Sequence, residues 1–196
     1  MQVWIKDISL TGHHVELKPL SLDYVDGLSE AVTDGELWKL WYTQVPNVSE
    51  VPSYIEDALT ARNNSGEMPF VILDVETNRV IGSTRYCNVD SQNKRLEIGY
   101  SWYRKSAQRT AANTETKYLL LQHAFETLNA IAVEFRTNWF NHQSRVAISR
   151  LGAKQDGVLR NHKRMPDGTM RDTVIFSIIN SEWASVKNHF EFKLKY

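Results

Sequence analysis

Three β-branched and aromatic runs, PFVILDV, VIGSTRYCNV and RLEIGYSWY, follow one another in mid-chain, separated only by the polar turns ETNR and DSQNK. Linkers that short leave no room for a crossover, so the runs form an antiparallel meander of three strands. The next strand-like run, AVEFRTNWF, comes only after a segment from Asn113 in which Tyr118, Leu121, Phe125 and Leu128 recur at helical spacing. A strand, a helix and a strand in that order imply parallel pairing by a right-handed crossover. The class is therefore α+β, with a mixed, mostly antiparallel sheet flanked by helices.

The flanks extend this frame. GHHVELKPL alternates over Val15, Leu17 and Leu20 and reads as a first strand, and SLDYVDGLSEAVT reads as a helix capped by Ser21. A second helical segment is expected over Glu36 to Trp41. A third follows, with Pro52 in its first turn and Gly66 past its end. After AVEFRTNWF, NHQSRVAISRLG reads as a helix with Asn141 as cap and Gly152 as stop. AKQDGVLRNHKRM and TMRDTVIFSII flank Asp167-Gly168, a two-residue hairpin signal. No linker or internal repeat divides the chain, so residues 1–196 are expected to form one domain.

Charge narrows the function. Lys plus Arg and Asp plus Glu both number 23, a balance that argues against a nucleic-acid partner or an anionic membrane. One cysteine, Cys87, excludes an internal disulfide framework and any multi-cysteine metal site. His13-His14 and the other histidines lack metal-ligand spacing, so no metal is expected. The start, MQVWIKDISL, lacks a charged segment followed by a long apolar run, and no stretch has the length of a membrane span. A soluble cytoplasmic protein is the expectation.

One stretch raises a chemical question. In QRTAANTETKYLLL a Gln-Arg pair precedes Thr110, Ala111 and Ala112, where a helix begins. Side chains this small suit a tight packed loop, or a backbone that must itself touch a ligand. Helix N-termini present unpaired N–H groups that attract anions.

Taken together, EIGYSW, the QRTAAN loop, NHQS, RLGAK and the terminal stretch GVLRNHKRMPDGTMRDTVIFSIINSEW resemble the GCN5-related N-acetyltransferases. The likeness runs from about Leu10 to Trp183 and is nearest to the branch containing bacterial ribosomal-protein N-terminal acetyltransferases. It implies that the mostly antiparallel sheet is splayed between two parallel strands. It also implies an acetyl-CoA-dependent enzyme moving an acetyl group to a primary amine by direct transfer in a ternary complex. The acceptor would be a protein N-terminus or a small-molecule amine, and a homodimer is a compatible assembly. A catalytically silent acyl-CoA-binding module is the competing reading. The family's phosphate loop, patterned Q/R-x-x-G-x-G/A, maps onto Gln108, Arg109, Thr110, Ala111, Ala112 and Asn113, with Thr114 in the first helical turn. Ala111 and Asn113 stand where glycines are commonest.

The resemblance also implies roles for other residues, each with a plainer alternative. Ile98, Gly99, Tyr100, Ser101 and Trp102 match the strand whose backbone meets the donor, and all but Trp102 are taken as cofactor-binding. Gly99 is compatible with a bulge there or with plain packing. Glu97 is the candidate general base; a salt bridge to Arg85 or Arg95 is its alternative. Asn141 and Ser144 match positions beside the pantetheine arm, with Ser144 a candidate proton donor to the thiolate or an ordinary helix-cap residue. Trp38, Trp41 and Tyr42 are candidate acceptor contacts or core, and His162 and Asp172 candidate acceptor contacts or solvated hairpin residues.

Overall fold

The computed structural model describes residues 4–165 and 167–196. Met1, Gln2 and Val3 of the N-terminal stretch, and Pro166 of the hairpin turn, lie outside them. Eight strands form one sheet: β1 (Leu10–Thr11), β2 (Val15–Pro19), β3 (Met68–Asp74), β4 (Val80–Asp90), β5 (Arg95–Tyr103), β6 (Ala132–Asn138), β7 (Lys154–Arg164) and β8 (Met170–Ile179). Their order is β1-β2-β3-β4-β5-β6-β8-β7. The expected meander is β3, β4 and β5, paired antiparallel. β5 and β6 form the parallel step.

Alternation along the strands feeds two cores. Phe70 and Ile72 of β3 join a large apolar cluster on one face, and Val71 and Leu73 join a smaller one on the other. Helices α1 (Val25–Thr33) and α2 (Val51–Ser65) cover the smaller cluster with Leu28, Ala31, Ile55 and Ala58. Helices α3 (Ala111–Gln122), α4 (His142–Arg150) and α5 (Trp183–Leu194) cover the larger one. A sheet sealed on both faces explains why its middle strands read as unbroken apolar runs.

Four expectations need correction. The segment Glu36 to Trp41 is not a helix but a single 3₁₀ turn, Leu37–Lys39, because Gly35 (φ 103°) and Glu36 (φ 45°) are both left-handed and turn the chain. Ser21 does not cap α1: its hydroxyl bonds the Asp23 carboxylate at 3.0 Å, and a 3₁₀ turn leads into the helix. The β7–β8 connection runs through residues 165–169 rather than two residues, with the Met165 N–H donating to the Thr169 carbonyl. Helix α5 was not foreseen: Trp183, Val186 and Phe190 recur at helical spacing after a 3₁₀ turn, Asn180–Glu182, that closes the hairpin.

What positions the site is a break in the parallel pair. β5 and β6 are in register only over Arg95↔Ala132, Leu96↔Val133 and Glu97↔Glu134. Beyond Glu97 the two strands part. On its other side β5 pairs Gly99 with Arg85 and Trp102 with Ser83, so Tyr100 and Ser101 oppose Thr84 alone. This bulge bends β5 away from β6. Its left-handed residue is Tyr100 (φ 52°), not Gly99. Such a backbone is rare for an aromatic residue and is held when the surroundings over-determine it. Here the Arg85 guanidinium lies 4.2 Å from the Tyr100 ring centre and pairs with Glu67 at 3.0 Å.

Candidate active site

The gap between β5 and β6 opens into a cleft of 1520 Å³. Ile98, Phe135, Ile148 and Leu151 give it an apolar floor, and the N-termini of α3 and α4 both open onto it. The α3 end is built by a local device. The Thr110 hydroxyl accepts the Ala112 N–H at 3.2 Å while donating to the Ala107 carbonyl at 2.7 Å. Gln108 is pinned through its amide to the Tyr103 carbonyl at 3.0 Å. The left-handed residue of the loop is Arg109 (φ 62°), so Ala111 is an ordinary first helical residue and needs no glycine. Ala111, Asn113 and Thr114 line the cleft, whereas Ala112 is buried against the core.

At α4, Asn141 is the cap: its Oδ1 accepts the Ser144 N–H at 3.0 Å. The Ser144 residue that would be an ordinary cap on sequence grounds is thus the capped partner, and it lines the cleft.

Glu97 stands where the strands part and is 7% exposed. Neither Arg85 nor Arg95 is its partner. Arg85 pairs with Glu67, and Arg95 with Glu134 at 2.6 Å. Instead Oε2 of Glu97 accepts from Asn88 Nδ2 at 2.6 Å and lies 3.4 Å from Arg136 Nε. Burial pushes the carboxyl above its ordinary range, against the lowering effect of Asn88 and Arg136. A Cβ at position 99 would stand 2.8 Å from the Cys87 sulfur and 3.0 Å from Glu97 Oε1, so Gly99 clears the space this carboxyl occupies.

The far wall is cationic. His162, Lys163 and Arg171 of the hairpin and Arg136 of β6 all line the cleft. His162 Nδ1 lies 3.1 Å from the Thr173 hydroxyl, and burial and then the charges of Lys163, Arg136 and Arg171 keep its imidazole below its ordinary pKa. Asp172, expected beside it, is not in the cleft. It accepts from Arg160 and, at 2.7 Å, from the Asn161 backbone across the hairpin.

Tyr42 lines the cleft, but Trp38 does not; it packs partly buried against the smaller core. Trp41 is 56% exposed and meets Phe140, from the loop after β6. Sequence reasoning missed Asn88, Arg136, Arg171 and Lys117, all cleft residues. Lys117 alone left a signal, as the one charge within the apolar run KYLLL. Among the described residues no three of His, Cys, Asp or Glu gather as metal ligands, and no helix is long and apolar enough to cross a membrane.

Residues 14–154 match the family model described as acetyltransferase (GNAT) domain. The chain is 26% identical over 181 residues to the uncharacterized N-acetyltransferase p20 of Bacillus licheniformis, covering 90% of this chain and 98% of that one. A GCN5-related N-acetyltransferase structure from Brucella melitensis superposes with a TM-score of 0.84 at 26% identity, over 95% of this chain and 85% of that chain. Two more distant folds cover 88% of this chain and 99% of their own. One is a Salmonella typhimurium acetyltransferase that modifies the N-terminal serine of ribosomal protein L7/L12 (TM-score 0.76, 16% identity). The other is the microcin C7 self-immunity acetyltransferase MccE, solved with acetyl-CoA and AMP (TM-score 0.75, 21% identity).

Proposed function

The chain belongs to the GNAT acetyltransferase family, and from that premise we propose that it transfers the acetyl group of acetyl-CoA to a primary amine, directly and within a ternary complex. One observation carries the reading: the N-termini of α3 and α4 open onto the same cleft in which Glu97 sits buried where two parallel strands part.

The chain's own groups fit such a donor. Pyrophosphate suits the first-turn N–H groups of α3, where the helix dipole favours an anion and Ala111 leaves the approach open. The apolar floor suits the pantetheine arm, which would run along Ile98–Ser101 toward Glu97, with Asn141 and Ser144 beside it. The open edge of β5 beyond Glu97 offers backbone N–H groups to the thioester carbonyl as negative charge develops there. Glu97 would take the proton of the attacking amine, its raised pKa bringing it nearer the working range of a general base. Reading the protein as a silent binding module drew on the missing glycines of the loop, and Ala111 lies in plain helix.

The acceptor would enter from the wall formed by Tyr42, His162 and Arg171. A protein N-terminus or a small amine can reach Glu97 from there. The Lys163 and Arg171 charges favour one that carries a carboxylate or phosphate near its amine. The test combines titration calorimetry of acetyl-CoA with thiol release from a panel of amines, with and without a neighbouring acidic group. Turnover that is faster for the acidic members supports the whole reading. Binding without turnover on any amine returns the silent module, and no binding removes the reading altogether.

A further inference from the structure

Lys117 has no part in the chemistry above, yet it lies in the floor of the same cleft. It projects from α3 toward the β5 bulge, is 5% exposed, and donates to the Ser101 hydroxyl. Thr84 Oγ1 lies 3.4 Å from the Lys117 amine and 2.7 Å from Ser101 Oγ, closing a small triangle of polar groups under the bulge.

No carboxylate neutralises this amine among the described salt bridges, and the charged groups around it are committed elsewhere. On β4, Arg85 pairs with Glu67, and burial together with the charge of Glu97 keeps the Cys87 thiol protonated. On β5 and β6, Glu97, Glu134 and Arg136 are joined to one another. On α3 itself, Glu115 points to the other end of the sheet, where it binds the backbone of β2. A buried ammonium without a counter-ion is unfavourable, and one that meets an anion is not. With no anion beside it, burial accordingly pushes Lys117 down to about 7; a thiolate beside Ser101 would draw the proton back onto the amine and itself be stabilised in return.

Resting on the reading that the donor's arm lies along Ile98–Ser101, we propose that Ser101, backed by Lys117, is the acid that receives the departing thiolate. As the amine nitrogen bonds to the acetyl carbon, the carbon–sulfur bond breaks and its electron pair stays on sulfur. Ser101 gives its proton to that sulfur and takes one from the Lys117 ammonium, leaving Lys117 neutral. The acceptor's proton goes to Glu97, and both groups reset with solvent. Ser101 is the catalytic residue of this pair and Lys117 the positioning residue that charges it.

The test needs no acceptor. Free coenzyme A and desulfo-coenzyme A are titrated into the protein by calorimetry, and ionisation of the bound thiol is followed against pH by thiolate absorbance. The bound thiol should ionise about one pH unit lower than the free one, a tenfold effect on its equilibrium. Lys117→Met should return that ionisation to the free value while desulfo-coenzyme A binds as it does to the parent. Ser101→Ala, on a half-open strand, should do the same and guards against a Lys117 variant that folds poorly. A bound thiol that ionises like the free one in the parent, or stays lowered in both variants, overturns the proposal. If neither coenzyme binds the parent, the donor-binding reading beneath it has failed as well.

Discussion

Trp41 and Phe140 face each other with ring centres 5.6 Å apart, although one belongs to the loop after α1 and the other to the loop after β6. Their neighbours Leu40, Tyr42, Asn138 and Asn141 line the cleft, so the ring pair ties together two loops that border it. Both rings are more than half exposed, at 56% and 58%. An aromatic pair contributes about 0.5–1.5 kcal/mol beyond its area burial, enough to bias the two loops together without locking them. Phe140→Ala should therefore speed acetyl-CoA release several-fold while the melting temperature moves little. Stopped-flow displacement measures the first and a thermal scan the second. An unchanged release rate means that the bridge does not restrain the donor.

For Glu97 two independent readouts are available. Glu97→Gln removes basicity but keeps shape, and kcat should fall by roughly 10²–10⁴ where proton transfer limits the rate. Stability responds differently. A carboxyl whose pKa rises above its ordinary 4.5 on folding binds more protons in the folded chain than in the unfolded one. Its contribution is whole at low pH and is lost as pH climbs through the folded value. In denaturant titrations from pH 4.5 upward, the stability of the parent relative to Glu97→Gln should thus fall as pH rises. A difference that grows with pH would show that Arg136 and Asn88 outweigh burial.

The α3 cradle can be separated from the helix it begins. Ala112 is buried, so a charge there would damage the fold, but Ala111 is half exposed at the first helical position. An acidic residue in a first turn stabilises a helix by about 0.3–1 kcal/mol. Ala111→Asp should raise the melting temperature slightly and yet weaken acetyl-CoA binding, because its carboxylate occupies the anion's place. Arg109→Ala should weaken binding by about 1–2 kcal/mol, less at high salt. Tight donor binding by Ala111→Asp would place the phosphates elsewhere.

At α4 the two named residues should part company. Asn141→Ala removes the cap, and helix caps of this kind contribute about 1 kcal/mol. Ser144→Ala removes no capping bond, since only its backbone N–H is used. Its melting temperature should match the parent's, and any loss should appear in turnover or donor affinity. A destabilised Ser144→Ala would mean that its hydroxyl packs rather than contacts the donor.

The sheet was readable in the sequence because turns such as ETNR and DSQNK are too short to permit anything but a meander. The parallel step was equally readable from the helix between β5 and β6. Local patterns also located Asn141 and the QRTAAN loop, since caps and loops are built from neighbours in sequence. The partners of Glu97 were not readable. Asn88 and Arg136 sit on flanking strands, and only the register of the finished sheet brings them to Glu97 Oε2. Glu36–Trp41 misled because the Asp34-Gly35 turn signal just before it went unread, and Gly35 and Glu36 turn left-handed there. Asp172 misled as well. It shares a strand with Arg171, but alternation turns the two to opposite faces.

Behind the cradle, Glu115 of α3 accepts hydrogen bonds from the backbone N–H groups of His13, His14 and Val15, and from the Tyr196 hydroxyl. A side chain at Gly12 would overlap its carboxylate, with the nearest atom at 2.4 Å. The helix that would meet the donor at its front is thus gripped from the rear by the β1–β2 turn and by Tyr196, just past the end of α5. A change at Gly12 or Tyr196, neither of which lines the cleft, would therefore be felt at the donor end through the body of α3.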